Sequence, residues 1–436
     1  MIRKIGLAGC LFLCISIHKL QAQELLSLDG AIRQSLQNSY DIQVSKNDAE
    51  IAAVSNSWAL AGRLPTVNAN LGFTYSLTNL RQELSNGTIT KRDGAQNRNL
   101  NSNVTGDWII FNGFRVTSTK RRLEEEQRVG EYNLRQQTNQ TVFDVTNNYY
   151  NVARLQQQLS ALKETISLFE ERVKLAKARF EIGTAAKNDY LQSQVDLNDQ
   201  RNTMLILDND LKVAKTTLNN LLSRNPATAF TVTDSAIAVT LPAKNEVLNQ
   251  LDSLNPQLLS ARSTELALMQ QHRVIQSQLY PVIGIGAGAN FTRSNNSAGF
   301  TLLNQNLGPQ AGVTVSIPLF QGGIVKRQLK INEIQQKTQQ TVTRNIRNDL
   351  QTQLENAYNE YDNANQQYAL QQQSLALVQE NSMIAMERFR RAAITLVDLR
   401  QVQLSLVTTQ TNLINARYTM KLNEVTLQFV TGSILR

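Results

Sequence analysis

The sequence predicts a mixed α and β membrane protein. Two tandem repeats each carry two strands and then a long helical hairpin, and the strands contribute to a transmembrane β-barrel. Three observations predict it. One offset, 209, lays the second half of the chain on the first, with Phe111-Asn112-Gly113 on Phe320-Gln321-Gly322 and Asp189 on Asp398; self-similarity on that scale organises a chain before any single element does. Apolar and polar residues alternate with period two just after Pro65 and Pro281, which is the strand signature. Two stretches then run without proline, from Phe114 to Arg224 and from Ile324 to the end.

The chain has 436 residues, with 44 Lys and Arg against 35 Asp and Glu, two His and two Cys. Residues 1–22 read as a signal peptide, with Arg3 and Lys4, an apolar run from Ile5 to Ile17 and a small-residue exit at Ala22. Leu7-Ala8-Gly9-Cys10 has the form of a lipobox, but the apolar stretch ahead of it is short and continues past it, so ordinary cleavage near Ala22 is expected. Removing Arg3, Lys4 and Lys19 leaves 44 − 3 = 41 bases against 35 acids, a balance of +6. Cys10, Cys14 and His18 leave as well. A mature chain without thiols and with one imidazole, His272, excludes disulfides, thiol catalysis and Cys- or His-cluster metal sites. No cofactor is expected. The basic residues are dispersed along the helices instead of forming a stripe, which argues against nucleic acid as a partner. No apolar run beyond the leader approaches the ~20 residues of a membrane-spanning helix.

In the first repeat, residues 23–223, a helix is expected over 24–63 and is stopped ahead of Pro65. Strands follow over 66–76 and 99–111 with a polar loop between them, then long helices over 113–181 and 187–223. The second repeat, residues 245–432, has a helix over 245–279 interrupted at Asn255-Pro256, strands over 282–293 and 310–319, and helices over 322–390 and 395–430. Residues 224–244 form a linker and 433–436 a short tail. Upstream of the strands the offset becomes 216, Pro65 falling on Pro281, so the first copy has 216 − 209 = 7 extra residues, assigned to its strand–strand loop. A helix from Phe114 to Phe180 would be about 100 Å long at 1.5 Å per residue. Rich in Gln and Asn with a narrow apolar stripe, such helices read as a coiled coil or a hollow helical wall, wet on more than one side.

The strands carry the sharpest constraint. Val67, Ala69, Leu71, Phe73 and Tyr75 alternate with Asn68, Asn70, Gly72, Thr74 and Ser76, and Ile283 to Phe291 alternate likewise with glycines and Asn290. Segments of about ten residues with one apolar and one polar face suit a barrel wall with lipid outside and water within. They also suit half-buried strands of a soluble sandwich. Four strands leave open edges, which hydrocarbon does not tolerate, and membrane barrels take about eight strands or more. A barrel therefore needs two or three copies of the chain. Trp108 is expected at a membrane interface and Trp58 in helix packing.

The ordered set of proline, strand, loop, strand, Phe-Asn/Gln-Gly and long helix occurs twice. With it come Arg179-Phe180-Glu181-Ile182-Gly183-Thr184 followed by Asp189, and Asn255-Pro256-Gln257-Leu258. Over about residues 25–432 this resembles the TolC-like outer membrane efflux protein family. The resemblance implies a homotrimer with a 12-stranded transmembrane β-barrel, 4 strands per chain, continuous with a periplasmic α-helical barrel. It implies location in the outer membrane, in contact with its lipid, with the helical tunnel in the periplasm. It implies an outer membrane channel-tunnel of a tripartite efflux system, passively conducting small toxic compounds handed over by a periplasmic adaptor protein and an inner-membrane pump. The same type of channel serving protein secretion, and a soluble periplasmic coiled-coil scaffold, are the alternatives. No enzyme is expected, since no GxxxxGK[ST] is present and no acid–base constellation converges.

The resemblance also points to residues. Family gates place acids just past the second helix break, where Asp398 holds the first position and Gln401 the second; Asp189 repeats Asp398 in the first copy. Asp near a helix N-terminus is favoured by the helix dipole in any case. The Tyr and Arg that hold other family gates correspond to Phe389 and Ile394, which can supply neither hydroxyl nor charge. Arg390, Arg391 and Arg400 are close enough in sequence to pair with Asp189 or Asp398. Gly183, Thr184, Ala392 and Ala393 are small residues at the tips, suited to adaptor docking or simply to tight turns.

Overall fold

The computed structural model describes residues 24–233 and 244–434. The leader with Cys10, most of the second half of the expected linker, and the last two residues lie outside them. The chain divides into two units, one of residues 24–38, 144–233 and 364–422, the other of 39–143, 244–363 and 423–434. No helix among the described residues is long and apolar enough to cross a membrane.

The elements of the first unit begin with β1 (Glu24–Leu26) and α1 (Leu28–Asn38). They continue with the later part of α3 (Arg115–Glu181), α4 (Lys187–Leu221) and β4 (Phe230–Val232). The last part of α7 (Ile324–Arg390) and most of α8 (Leu396–Thr431) complete the unit. Residues 24–26, expected as helix, are a strand paired parallel with β4 inside the expected linker, Glu24 on Phe230 and Leu26 on Val232. Three-residue strands have no pattern to read; the pairing is held by side chains from distant helices. Tyr149 is fully buried with its hydroxyl 3.0 Å from both Leu26 O and Thr233 O. Gln156 accepts from Val232 N at 3.1 Å. Arg224 stacks on Phe230 at 4.7 Å and donates to Glu24 at 2.9 Å.

In the second unit, α2 (Tyr40–Ser55) follows a break that Ser39 makes by capping Ile42 N with its hydroxyl. The continuous helix expected over 24–63 is thus replaced by a strand, two helices and a turn through Ser57–Ala61 that ends at Gly62, φ +83°. Trp58 lies in that turn, with Arg63 at 4.7 Å and Lys120 at 5.7 Å over its ring. The sheet consists of β2 (Thr66–Glu83), β3 (Ile89–Asn112), β5 (Val282–Asn296) and β6 (Leu303–Ser316), antiparallel throughout in the order β2-β3-β5-β6. The polar loops expected between strands are mostly ladder, and the connections shrink to 84–88 and 297–302. The seven extra residues of the first copy therefore lengthen strands instead of a loop. Polar residues alternate as well as apolar ones, and Asn86-Gly87, with Gly87 at φ +82°, closes the first hairpin.

Before β5 come α5 (Lys244–Leu254) and α6 (Pro256–Gln276), separated by Asn255. Its side chain caps Leu258 N at 3.0 Å and donates to Val430 O at 2.8 Å, while Pro256 occupies the first turn, where no N–H is needed. Leu251, Leu258, Leu354, Leu427 and Val430 form the apolar core here. Gly113, between β3 and α3, adopts φ +65°, and a Cβ there would lie 2.6 Å from Tyr280 Cβ and 2.8 Å from Ser277 O.

Gly113→Ala therefore carries both the left-handed backbone cost of about 1–2 kcal/mol and a clash with main chain. Gly62→Ala, with nothing within 4 Å, carries the backbone cost alone. Thermal unfolding of the two variants should show a clearly larger loss for Gly113→Ala; equal losses would mean the close approach to Tyr280 is unimportant.

Candidate functional site

In an antiparallel pair, facing residues share a side of the sheet, so the register sorts every strand residue. One side carries rows such as Ala69–Val104–Ala289–Pro309 and Leu71–Ser102–Phe291–Leu307. These side chains face out with no core over them: Leu71 is 76 % and Leu307 77 % exposed. The other side carries Asn70–Asn103–Asn290 and Asn101–Thr292–Asn306, with Asn70 donating to Asn103 at 2.9 Å. Asp107, Gly286 and Gly312 share a row on this polar side, where a groove of about 440 Å³ opens over the glycines. Gly288 is obligatory there, since a Cβ would meet Val104 O at 2.4 Å. Both β2 and β6 are edge strands. Proline is confined to such a position, and Pro309 occupies one. Trp108 donates its indole N–H to Arg63 O at 2.8 Å, at the helix-bearing end of the sheet.

The helix breaks of the first unit repeat one another in detail. At both, a residue in left-handed conformation ends the helix, Gly183 at φ +79° and Ala392 at φ +58°. The following amides bond back in the same pattern, Thr184 N to Arg179 O and Ala393 N to Arg388 O, both at 2.8 Å; this is the Schellman arrangement. Gly183, Thr184, Ala392 and Ala393 are all exposed. The starts of the next helices differ. Asp398 accepts at 2.7 Å from the Thr395 hydroxyl and at 3.1 Å from Thr395 N, and Thr395 Oγ1 accepts from Asp398 N at 3.2 Å, a closed capping box. Thr395's hydroxyl, then its amide, and the Arg388 charge hold the Asp398 carboxyl below the ordinary range. Asp189 has Ala186 in the capping place, which makes no side-chain cap.

The expected ion pairs of the three arginines are not formed. Arg390 pairs with Glu171 and, at 3.5 Å, with Glu387; Arg391 pairs with Glu387 at 2.8 Å; Arg400 pairs with Asp196 at 3.0 Å. None reaches Asp189 or Asp398, because carboxylates one helical turn away or on a facing helix are nearer. Phe389, expected at a constriction, is buried among Ala385, Met386, Leu396 and Leu399, with Arg179 at 4.9 Å over its ring. It belongs to the apolar core between the helices of this unit. Ile394 packs half-buried against the same cluster, while Asp398 and Gln401 are exposed and Asp189 half-exposed.

One constellation escaped the sequence reading. Arg172 on α3, fully buried, donates to Asp196 of α4 at 2.7 Å and lies 4.7 Å over the Phe169 ring. Asp196, 5 % exposed, also takes Arg400 of α8 and Gln192 at 2.9 Å, so one carboxylate joins three helices. Burial lowers the Arg172 pKa and Asp196 opposes the shift. Arg172 sits three residues after Phe169 and three before Leu175, a stripe position for a cation. Its partner 24 residues on has no sequence signal.

A family model described as outer membrane efflux protein matches residues 31–224 and 247–433. The chain belongs to that family. Outer membrane protein TolC of Salmonella enteritidis is 21 % identical over 439 residues, 95 % of this chain and 83 % of that protein. Outer membrane efflux protein BepC of Brucella suis is 21 % identical over 305 residues, 70 % of this chain. The matches span 66 % of an uncharacterised Haemophilus influenzae relative and 63 % of BepC. Among solved structures, the Campylobacter jejuni CmeC outer membrane channel superposes with a TM-score of 0.80 at 14 % identity, covering 93 % of this chain and 86 % of that one. VceC of Vibrio cholerae gives 0.78 at 17 % identity, covering 93 % and 96 %.

Two predictions concern α4 and the start of α8. Asp196→Ala strands a buried guanidinium and should cost roughly 3–5 kcal/mol, whereas Arg172→Met with Asp196→Leu should recover most of it. Calorimetry of the solubilised protein separates these from a pair that contributes nothing. Because its folded pKa is lowered, the Asp398 cap contributes fully above the unfolded carboxylate value of about 3.9 and is lost as pH falls through the folded value. Carbon-13 titration of Asp398 should give a midpoint below the ordinary value that moves up in Thr395→Ala; an unmoved midpoint refutes the capping assignment.

Proposed function

We propose that the chain is one subunit of a homotrimeric outer membrane channel that passively conducts small toxic compounds, fed by a periplasmic adaptor and an inner-membrane pump. The carrying observation is the sheet. It has one apolar face without a core, one face dominated by amides and glycines with Asp107 near the helix-bearing end, and two edges unpaired among the described residues. Edges are untenable in hydrocarbon, and three such sheets joined edge to edge give a closed wall of 12 strands, apolar outside and hydrated within. Membership of the outer membrane efflux family supports the location and the class of activity. The helix breaks then form the periplasmic mouth, with the exposed small residues Gly183, Thr184, Ala392 and Ala393 available to an adaptor. Asp398, exposed and ionised, supplies an acid from each subunit around the mouth, with Gln401 one turn further along α8 and Asp189 at the corresponding start of α4.

The mature protein should require detergent for release from the outer membrane and run as a trimer; a water-soluble monomer sinks the reading. Asp398→Asn removes the charge but keeps an acceptor for Thr395 N–H, so the cap is retained. Charges at the mouth act over about 8 Å at physiological salt. Single-channel recordings of this variant should show block by multivalent cations weakened severalfold and conductance raised. Unchanged block would remove Asp398 from the mouth.

A further inference from the structure

The apolar face of the sheet carries two charges. Between the Trp108–Ile285–Val313 row and the Tyr75–Arg98–Asn295–Leu303 row, Arg98 and Arg293 are its only ionised side chains. Leu100 faces Arg293 and Arg98 faces Asn295, so the arginines are diagonal neighbours on β3 and β5, a relation of about 7–8 Å that long side chains span. Both are exposed. Arg98 lies 5.9 Å over the Tyr75 ring. Neither makes an ion pair among the described residues. Like charges so placed repel one another, and a guanidinium on a lipid-facing wall is tolerated only toward an interface. The pair sits at the end of the apolar rows nearest the hairpin turns 84–88 and 297–302, opposite the end where the helices attach.

We propose that Arg98 and Arg293, with Tyr75 beside them, bind the phosphate of a phosphorylated glycolipid in the leaflet at the hairpin end. This rests on the reading of the apolar face as lipid-facing. Two guanidinium forks match phosphate oxygens in geometry as well as charge. A phosphate between them relieves their repulsion. On the same face Asn295 and Gln305 present amides to sugar hydroxyls, while Phe73 and Leu100 share the row of Arg293 and Phe291 lies in the next row toward the helices, a surface for acyl chains.

The test uses the full chain, solubilised and then in nanodiscs, titrated with lipid A, with enzymatically dephosphorylated lipid A, and with inorganic phosphate, binding being read by native mass spectrometry. The wild type should prefer phosphorylated lipid by about tenfold, equivalent to ~1.4 kcal/mol. Arg98→Gln with Arg293→Gln should bring that preference to within about twofold of unity. Equal binding of the two lipids by the wild type overturns the site, whatever the variant does. Inorganic phosphate binding as tightly as the lipid overturns the lipid as its source. A wild type that inserts as an oligomer but shows no preference removes this site and leaves the channel standing. Failure to enter bilayers at all removes both.

Discussion

Backbone hydrogen bonding at the edges of the four-stranded sheet governs what surroundings the rest of the chain can occupy. Along β2 and β6 one row of amides and carbonyls finds no strand partner among the described residues. In water such an edge invites aggregation; in hydrocarbon it is forbidden. The side chains of the sheet permit neither burial against a core nor exposure to water, since one face is apolar from Val67 to Phe73 and from Ile283 to Phe291. In the proposed assembly, closure with other copies would satisfy both demands at once. On the polar side of the sheet, Gly288 lets β3 and β5 approach within a distance that any Cβ would prevent.

The helical part solves a different problem. A Gln- and Asn-rich helix with a narrow apolar stripe gains little from burial, so its register must be held at discrete points. Asp196 is one, tying α3, α4 and α8 together with a carboxylate that removal of either cation would leave under-compensated. Replacing a buried pair by apolar side chains is often neutral, whereas removing one partner alone is strongly destabilising. Tyr149 is another: its hydroxyl sits between the carbonyl of Leu26, which ends β1, and that of Thr233, just past β4. The closed capping box at Thr395 and Asp398 sets where α8 begins, while the first copy, with Ala186, starts α4 without one. Duplication has kept the turn geometry of both breaks and let their electrostatics diverge.

The offset of 209 is visible at the C-caps as well. Gly183 and Ala392 are one such pair, Ser223 and Gly432 another, all with positive φ. Within each pair one member is glycine and the other is not, so the backbone conformation is preserved where the residue best suited to it is not. Ala392 holds its place against a cost of about 1 kcal/mol because the amides of Ala392 and Ala393 bond back into the preceding turn.

The repeat, the long helices and the two-faced strands are legible along the chain, because each is written in a local period. Proline-free runs, alternation after Pro65 and Pro281, and Asn255-Pro256 as a helix start need no distant partner to be read. Tertiary structure alone decided the rest. The strands extend through Asn97 to Arg92 and through Leu303 to Gly308, since ladder bonds depend on a neighbour and not on hydrophobicity. Glu24–Leu26 became a strand because β4 and Tyr149 meet it from far along the chain. Phe389 turned into core, and Arg390, Arg391 and Arg400 took Glu171, Glu387 and Asp196 as partners instead of Asp189 or Asp398. A side chain's direction and its nearest counter-charge are set by how helices pack, which no spacing along one helix encodes.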